Sequence, residues 1–320
     1  NPGVVTGGAP GEPAGTSSPT AGGIGQFDDF LEINVDRNNG AGPLGTGQLD
    51  AFDINASNTH DGIFIDELTG DLTVGTVHTL ENVSLRTVGG SILDADGTTS
   101  ADVLGQAIDL DANGVGASIG AANNDLEIDS RRGSAQGLSL NVFNDDDVSL
   151  EATAHIFLTE TDQDLRLDFA HSYEGDIRLT VRDTGGLNDN TGLEESAEDL
   201  ELIDHGSARF AESNARGPGN QVDADRIIPN GQIFAEQGNI TLYVGDDIEI
   251  DANGQIWADG NVSIYGDANA EDGILSAADP DAGFGSTIVL RGQIIANADV
   301  TPGNQVDTPA PGDENPVGSA

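Results

Sequence analysis

The sequence predicts an all-β chain wound as a parallel β-solenoid, and three observations carry that prediction. One short pattern recurs: a polar Asn, Asp or Thr, then Val or Ile, any residue, then Leu or Ile. It occurs as NVSL at 82–85, DVSL at 147–150, DIRL at 176–179, NITL at 239–242, NVSI at 261–264 and TIVL at 287–290. Val262 follows Ile240 by 22 residues and Ile288 follows Val262 by 26, lengths that suit one supersecondary unit stacked on the next. The chain is also rich in glycine, 44 of 320 residues, and poor in aromatics at 4%. That balance suits a narrow interior with many corners and argues against a thick two-layer core.

Each coil of such a solenoid turns its inward side chains onto the coils above and below, with strands ~4.8 Å apart. Inward positions call for Val, Ile and Leu, which pack on a pleated surface. Corners call for Gly, Asn and Asp, which tolerate left-handed backbone or bond their own main chain.

Residues 1–25 are a Gly/Pro/Ser-rich tail, flexible or ordered by a partner subunit. Solenoid coils follow over 26–186, where DLTV at 71–74, AIDL at 107–110, DLEI at 125–128, GLSL at 137–140 and DLRL at 164–167 fit the pattern more loosely. Within them IFIDELTGDLTV at 63–74 aligns with IFLTETDQDLRL at 156–167, an offset of 93 residues that predicts two tandem four-coil blocks. The polar stretch 187–230 reads as a loop insertion with a short helix in LEESAEDLELI. Coils resume over 231–300, and 301–320 forms a Pro/Gly-rich acidic tail. At ~24 residues per coil the prediction is about eleven coils and a rod on the order of 50 Å long.

The strings DINASNTHDGIFIDELTGDLTVGTV at 53–77 and ENVSLRTVGGSILDADGTTSADVLGQAIDLDANGVGASIGAANNDLEIDS at 81–130 resemble the β-helical repeats of filamentous haemagglutinin-like giant surface proteins. The resemblance covers roughly residues 50–180 and, more weakly, 231–298. It implies a right-handed parallel β-helix, secretion, and adhesive or scaffolding work without catalysis. The amino-terminal secretion domain typical of that family is not in this sequence, and no initiator Met opens it. The chain is expected to be a processed or excised portion of a longer precursor.

Charge narrows the function classes. Asp and Glu total 56 against 11 basic residues, a net charge of −45, and every basic residue is arginine. Such a surface repels nucleic acid and anionic membranes. It stays hydrated in salt, which blunts the self-repulsion, and it suits the gathering of divalent cations. No run of ~18 apolar residues is present to span a membrane.

The calcium expectation attaches to DLDANGVGASIG at 109–120, whose first half has the D-x-[DN]-x-[DN]-G form through Asp109, Asp111 and Asn113, and to its cousin EIDANGQIWADG at 249–260, through Glu249, Asp251 and Asn253. The twelfth position, where a calcium loop places a bidentate Glu, is Gly120 in one and Gly260 in the other. Both stretches therefore read mainly as solenoid corners, able to hold calcium only where a neighbouring coil adds oxygens. DADG at 94–97, NDDD at 144–147 and DPDAG at 279–283 are further Asp-rich turns.

The five histidines show no metal-binding spacing, no G-x-S-x-G elbow is present, and the glycine-rich stretches lack the P-loop lysine. With 56 acidic residues, some carboxylate pair meets glycosidase spacing by chance. Trp257 reads as a coil-corner or interface residue. The expectation is a non-enzymatic extracellular protein of a saline setting, a stalk or filament subunit that partners with itself and with host or surface glycans; the alternatives are a calcium-stiffened ligand-binding adhesin domain and, behind it, a polysaccharide lyase or glycosidase on a β-helix.

Overall fold

The computed structural model describes residues 23–26, 29–35, 47–54, 62–130, 148–162, 164–183, 198–202, 216–217, 221–222, 231–276 and 286–304. These residues are all-β, and no helix occurs among them. Two long parallel sheets run side by side as the flanks of a solenoid. The first stacks Leu31–Ile33, Ile63–Glu67, Val83–Thr87, Ile108–Ala112, Val148–Ala152, Leu165–Ser172, Leu200–Leu202, Ile248–Ile250 and Ile288–Leu290. The second stacks Leu49–Asp53, Leu72–Thr79, Val103–Gly105, Leu126–Ser130, Ile156–Glu160, Ile177–Val181, Ile240–Val244, Val262–Gly266 and Val300–Asn304. Nine rungs on each path replace the predicted eleven, because the connections between rungs are longer and less even than a fixed repeat assumes. Every one of the sequence patterns inside the described residues is a strand; GLSL at 137–140 lies outside them.

The pattern of a polar residue before an aliphatic strand has a specific cause. Leu72, Ile92, Ile119, Ile156, Ile177, Ile240, Val262 and Val300 stand in register on successive rungs. The first seven of these are buried. The residue preceding each of the first seven accepts, through its side chain, a hydrogen bond from the main-chain N–H of its counterpart one rung on. Ser91 N donates to Asp71 Oδ1 at 2.8 Å, Ser118 N to Ser91 Oγ at 3.1 Å, and His155 N to Ser118 Oγ at 3.1 Å. Asp176 N donates to His155 Nδ1 at 3.0 Å, Asn239 N to Asp176 Oδ1 at 2.8 Å, Asn261 N to Asn239 Oδ1 at 2.9 Å and Asp299 N to Asn261 Oδ1 at 3.1 Å. Seven consecutive bonds thus run along one corner of the rod. His155 joins the column by accepting at Nδ1.

The residue before each of these seven acceptors is Gly or Ala: Gly70, Gly90, Ala117, Ala154, Gly175, Gly238 and Gly260; Ala298 stands in the same place before the last donor, Asp299. Crowding explains two of the glycines. A Cβ on Gly90 would lie 2.0 Å from the Gly70 carbonyl oxygen, and one on Gly238 would lie 2.1 Å from that of Gly175.

The cross-section changes part-way. Leu165–Ser172 is long enough for its first half to pair with Leu200–Leu202 and its second half with Gln232–Ala235. From there a third column, Gln232–Ala235, Gln255–Ala258 and Gln293–Ala296, continues beside the first sheet. The 93-residue offset also acquires a different meaning. Ile63–Glu67 lies in the first sheet, whereas its aligned partner Ile156–Glu160 lies in the second. The internal similarity is between strands on different flanks, not between superimposable blocks.

Within the stretch predicted to project at 187–230, Leu200–Leu202 is a rung and not part of a helix, and Arg216–Gly217 pairs antiparallel with Gln221–Val222. Apart from Glu198 and Asp199, the rest of that stretch lies outside the described residues, as do 1–22 and 305–320. At the edges of the stretches read as tails, Ile24 pairs with Ile63, and Val300–Asn304 pairs with Val262–Gly266.

The crowded corner gives a paired prediction. Gly238→Ala must displace backbone and should cost ~1–3 kcal/mol. Gly89→Ala, whose added methyl meets nothing within 4 Å, should be neutral. Urea midpoints of the two variants compare them directly.

Candidate functional site

The calcium-loop motifs resolve largely into strand. Ile108–Ala112 carries Asp109 and Asp111 on its outward side. Asp109 is level with Ser84 and Ser149, and Asp111 with Arg86 and Glu151. Ser84 Oγ donates to Asp109 at 2.5 Å. Burial pushes the Asp109 carboxyl up to about 6, against the opposing pull of the Ser84 hydrogen bond and Arg86. Asn113 Nδ2 donates to Asp111 Oδ1 at 2.6 Å, which ties the corner back to its own strand. In the second copy Glu249 is in the strand Ile248–Ile250 and ion-pairs with Arg291, while Asp251 stands 3.8 Å from the same guanidinium. Asn253 lies in the exposed turn before Gly254. Four rungs, or ~19 Å, separate the two copies in the first sheet. Among the described residues, neither copy belongs to a group of three carboxylate or imidazole ligand atoms within 4.8 Å of one another. NDDD and DPDAG lie outside the described residues.

Carboxylates converge instead on the second flank. Asp94, Asp102 and Glu127 each offer an oxygen to a set lying within 4.8 Å of one another, and Glu127, Glu271 and Asp272 form a second such set. Glu127 belongs to both. Asp94 ends a strand, and its two oxygens accept the N–H groups of Asp96 at 2.8 Å and Gly97 at 2.6 Å. Asp102 leads into Val103–Gly105, and Glu127 is the second residue of Leu126–Ser130. Glu271 and Asp272 arrive from far along the rod, on the two-strand hairpin Ala270–Glu271 with Ile274–Leu275. Its Asp-Gly turn has φ of 48° at Asp272 and 71° at Gly273, the doubly positive geometry that Asp-Gly favours in tight hairpins.

Three contacts seat this hairpin. Asp125 N donates to Asp272 Oδ1 at 2.9 Å, Arg182 donates to Glu271 at 2.8 Å, and Gly273 packs so closely on the Arg178 guanidinium that a Cβ would lie 2.5 Å from it. Arg178 is in turn held by the buried Asp125 carboxylate, which also accepts from Thr159 Oγ1 at 3.0 Å.

The electrostatics of this pocket are unfavourable for five anions. Asp102 is 4% exposed and Glu127 only 1%. Burial first, and then repulsion from Asp94, pushes the Asp102 carboxyl up to about 8. Burial and then Asp102 push Glu127 up to about 9. Burial raises Asp125 and Glu271 too, although Arg178 and Arg182 pull them back. Asp102 Oδ2 and Glu127 Oε2 are buried without any hydrogen-bond partner, a costly state for a carboxylate. An all-oxygen donor set of this kind fits a hard divalent cation, not a thiolate- or imidazole-preferring metal.

Sequence reasoning reached only Asp94, through the DADG turn. A usable signal existed for Glu127: DLEID places Asp125, Glu127 and Asp129 at every second position, hence on one face of the strand. Nothing local in the sequence signals that EDG at 271–273 folds back onto that face. Trp257 is neither at a corner nor isolated. It lies within Gln255–Ala258, half-buried and stacked on Phe234 with ring centroids 4.4 Å apart.

Comparison of the chain with protein-family models, with curated proteins and with solved structures gives no match.

The raised carboxyls fix a sign for pH dependence. Both folded values lie above the ordinary ~4 of an unfolded carboxyl, so between pH ~4 and ~9 the folded state holds more protons. Stability supplied by these groups is present at low pH and is lost as pH rises. In chelator-treated protein the melting temperature should fall from pH 6 to pH 9, and the fall should be smaller in Glu127→Gln. Thermal melts followed by circular dichroism measure the difference.

Proposed function

We propose that this chain is a structural element of an extracellular, cell-surface assembly: a β-solenoid stalk or filament subunit that joins end to end and works without catalysis. One observation carries this reading. The inward columns run unbroken to a last rung that is open. Ile248, Ile250, Ile256 and Ala258 are fully buried. Their register partners one rung on, Ile288, Leu290, Ile294 and Ala296, are only partly covered or exposed, Leu290 at 42%. Among the described residues, no strand pairs with the far edge of Ile288–Leu290, Gln293–Ala296 or Val300–Asn304.

An open rung offers unpaired N–H and C=O groups together with an apolar column in the correct register, a template for another coil of the same kind. That coil comes from a second copy of the chain or from further repeats of the same polypeptide. The resemblance to filamentous haemagglutinin-like repeats supports the same role, with secretion and surface glycans as its adhesive context. The net charge of −45 supports a saline setting, where screening permits acidic rods to approach. Among the described residues no helix is long and apolar enough to cross a membrane.

Assembly should appear as rods longer than one chain in negative-stain images at high protein concentration and in salt. Ile288→Lys with Ile294→Lys should raise the concentration needed for that assembly at least tenfold, because two charges then face the incoming rung. Monodisperse single-chain rods at every concentration and salt tested would reject end-to-end joining.

A further inference from the structure

We propose that Asp94, Asp102, Glu127, Glu271 and Asp272 form a calcium site, with Glu127 shared between its two halves, and that the bound cation docks the Ala270–Leu275 hairpin onto the flank of the rod. This inference is independent of whether rods join end to end.

Geometry supplies the first argument. Calcium binds oxygens at ~2.3–2.6 Å, so opposite ligands in its shell are ~4.6–5.2 Å apart. In each of the two triads, Asp94–Asp102–Glu127 and Glu127–Glu271–Asp272, carboxylate oxygens gathered within 4.8 Å of one another fit inside that shell. Magnesium, at ~2.0–2.1 Å, demands a tighter octahedron.

The second argument concerns what these oxygens lack. Asp102 Oδ2 and Glu127 Oε2 are buried and unpartnered, on side chains that are 4% and 1% exposed. The nearby cations serve the rim of the cluster: Arg178 pairs with Asp125, and Arg182 with the ligand Glu271 and the Thr99 carbonyl, while Asp102 Oδ2 and Glu127 Oε2 accept from neither. A divalent ion supplies the missing positive charge and ligates the free oxygens in one step.

The third argument is the path of the chain. The hairpin follows Val262–Gly266 directly, yet its turn contacts Asp125, beside Leu126–Ser130, four rungs back along the second sheet. That is a return of ~19 Å. Ala268 and Ala270 are buried on the way. Bringing two more carboxylates onto an acidic flank opposes docking unless a counter-charge waits there. Calcium between Glu127 and the Glu271–Asp272 pair converts that repulsion into a cross-link between the fourth and eighth rungs. The hairpin then acts as a strap that stiffens four coils.

The test titrates the full chain with calcium alone at pH 7.5, by calorimetry and by displacement of luminescent terbium, with trypsin-independent proteolysis near 267–276 as a structural readout. A saturable site is expected at or below the ~1 mM range of extracellular calcium modules, with cleavage slowed by calcium. Glu127→Gln should weaken binding at least tenfold. Asp272→Asn keeps the oxygen that accepts from Asp125 N but removes the charge, and should weaken binding severalfold while the chain still folds. Asp111→Asn and Asp251→Asn, in the loop-like motifs, should leave binding unchanged. The proposal is overturned by titration without saturation, which would mean protons alone hold the cluster, by full affinity in Glu127→Gln and Asp272→Asn, or by loss of binding in Asp111→Asn.

Discussion

The rod depends on a corner in which three columns stand side by side: a small residue, a side-chain acceptor and an aliphatic anchor. Every rung must begin at the same height, within the ~4.8 Å spacing of paired strands, or the register of all later rungs slips. The acceptor column sets that height by bonding each rung's first N–H to the side chain below. The small column lets backbone approach backbone there, and the aliphatic column fills the interior next to it. Because side-chain oxygens of Asp, Asn and Ser and one imidazole nitrogen all accept equally well, the column tolerates varied residues while the geometry stays fixed.

Pinning the start of each rung also frees what lies between rungs. Successive acceptors are separated by 20, 27, 37, 21, 63, 22 and 38 residues. A solenoid locked at one corner can thus carry loops, a third column of strands and a returning hairpin without losing its stack. Long loops add little closure entropy, since that cost grows only logarithmically with length.

This arrangement explains how much of the molecule the sequence displayed. The strand pattern was legible because acceptor and anchor are adjacent in the chain: Asn239 with Ile240, Asn261 with Val262. The small residue before them, Gly238 or Gly260, completes a five-residue signature whose first position is steric. The number of coils was not legible, because the corner fixes no loop length. The alignment of Ile63–Val74 with Ile156–Leu167 reflects shared strand chemistry, and only the sheet assignments reveal that the pair occupies different flanks. The acidic site was less legible still. Asp109, Asp111 and Asn113 looked like ligands because they are close in sequence, yet the strand and the Asn113 to Asp111 hydrogen bond account for them. Glu127 and Glu271 meet only through tertiary folding, across 144 residues of chain.

Arginine is the only basic residue in the chain, and its placement shows what the acidic surface requires. Arg86 donates through two nitrogens to the two oxygens of Asp66 on the adjacent rung, and further along the same sheet Arg166 pairs with Glu201 on its adjacent rung. A planar guanidinium matches a carboxylate at strand spacing, where a lysine would offer one mobile point charge. These pairs act as side-chain staples between coils on the outward faces. The flank around Glu127 differs: there Arg178 and Arg182 serve the rim and leave the centre without a cation. Among the described residues, arginines pair with carboxylates between rungs, whereas the five carboxylates around Glu127 have none at their middle, and that gap of charge and coordination is what the proposed divalent ion would fill.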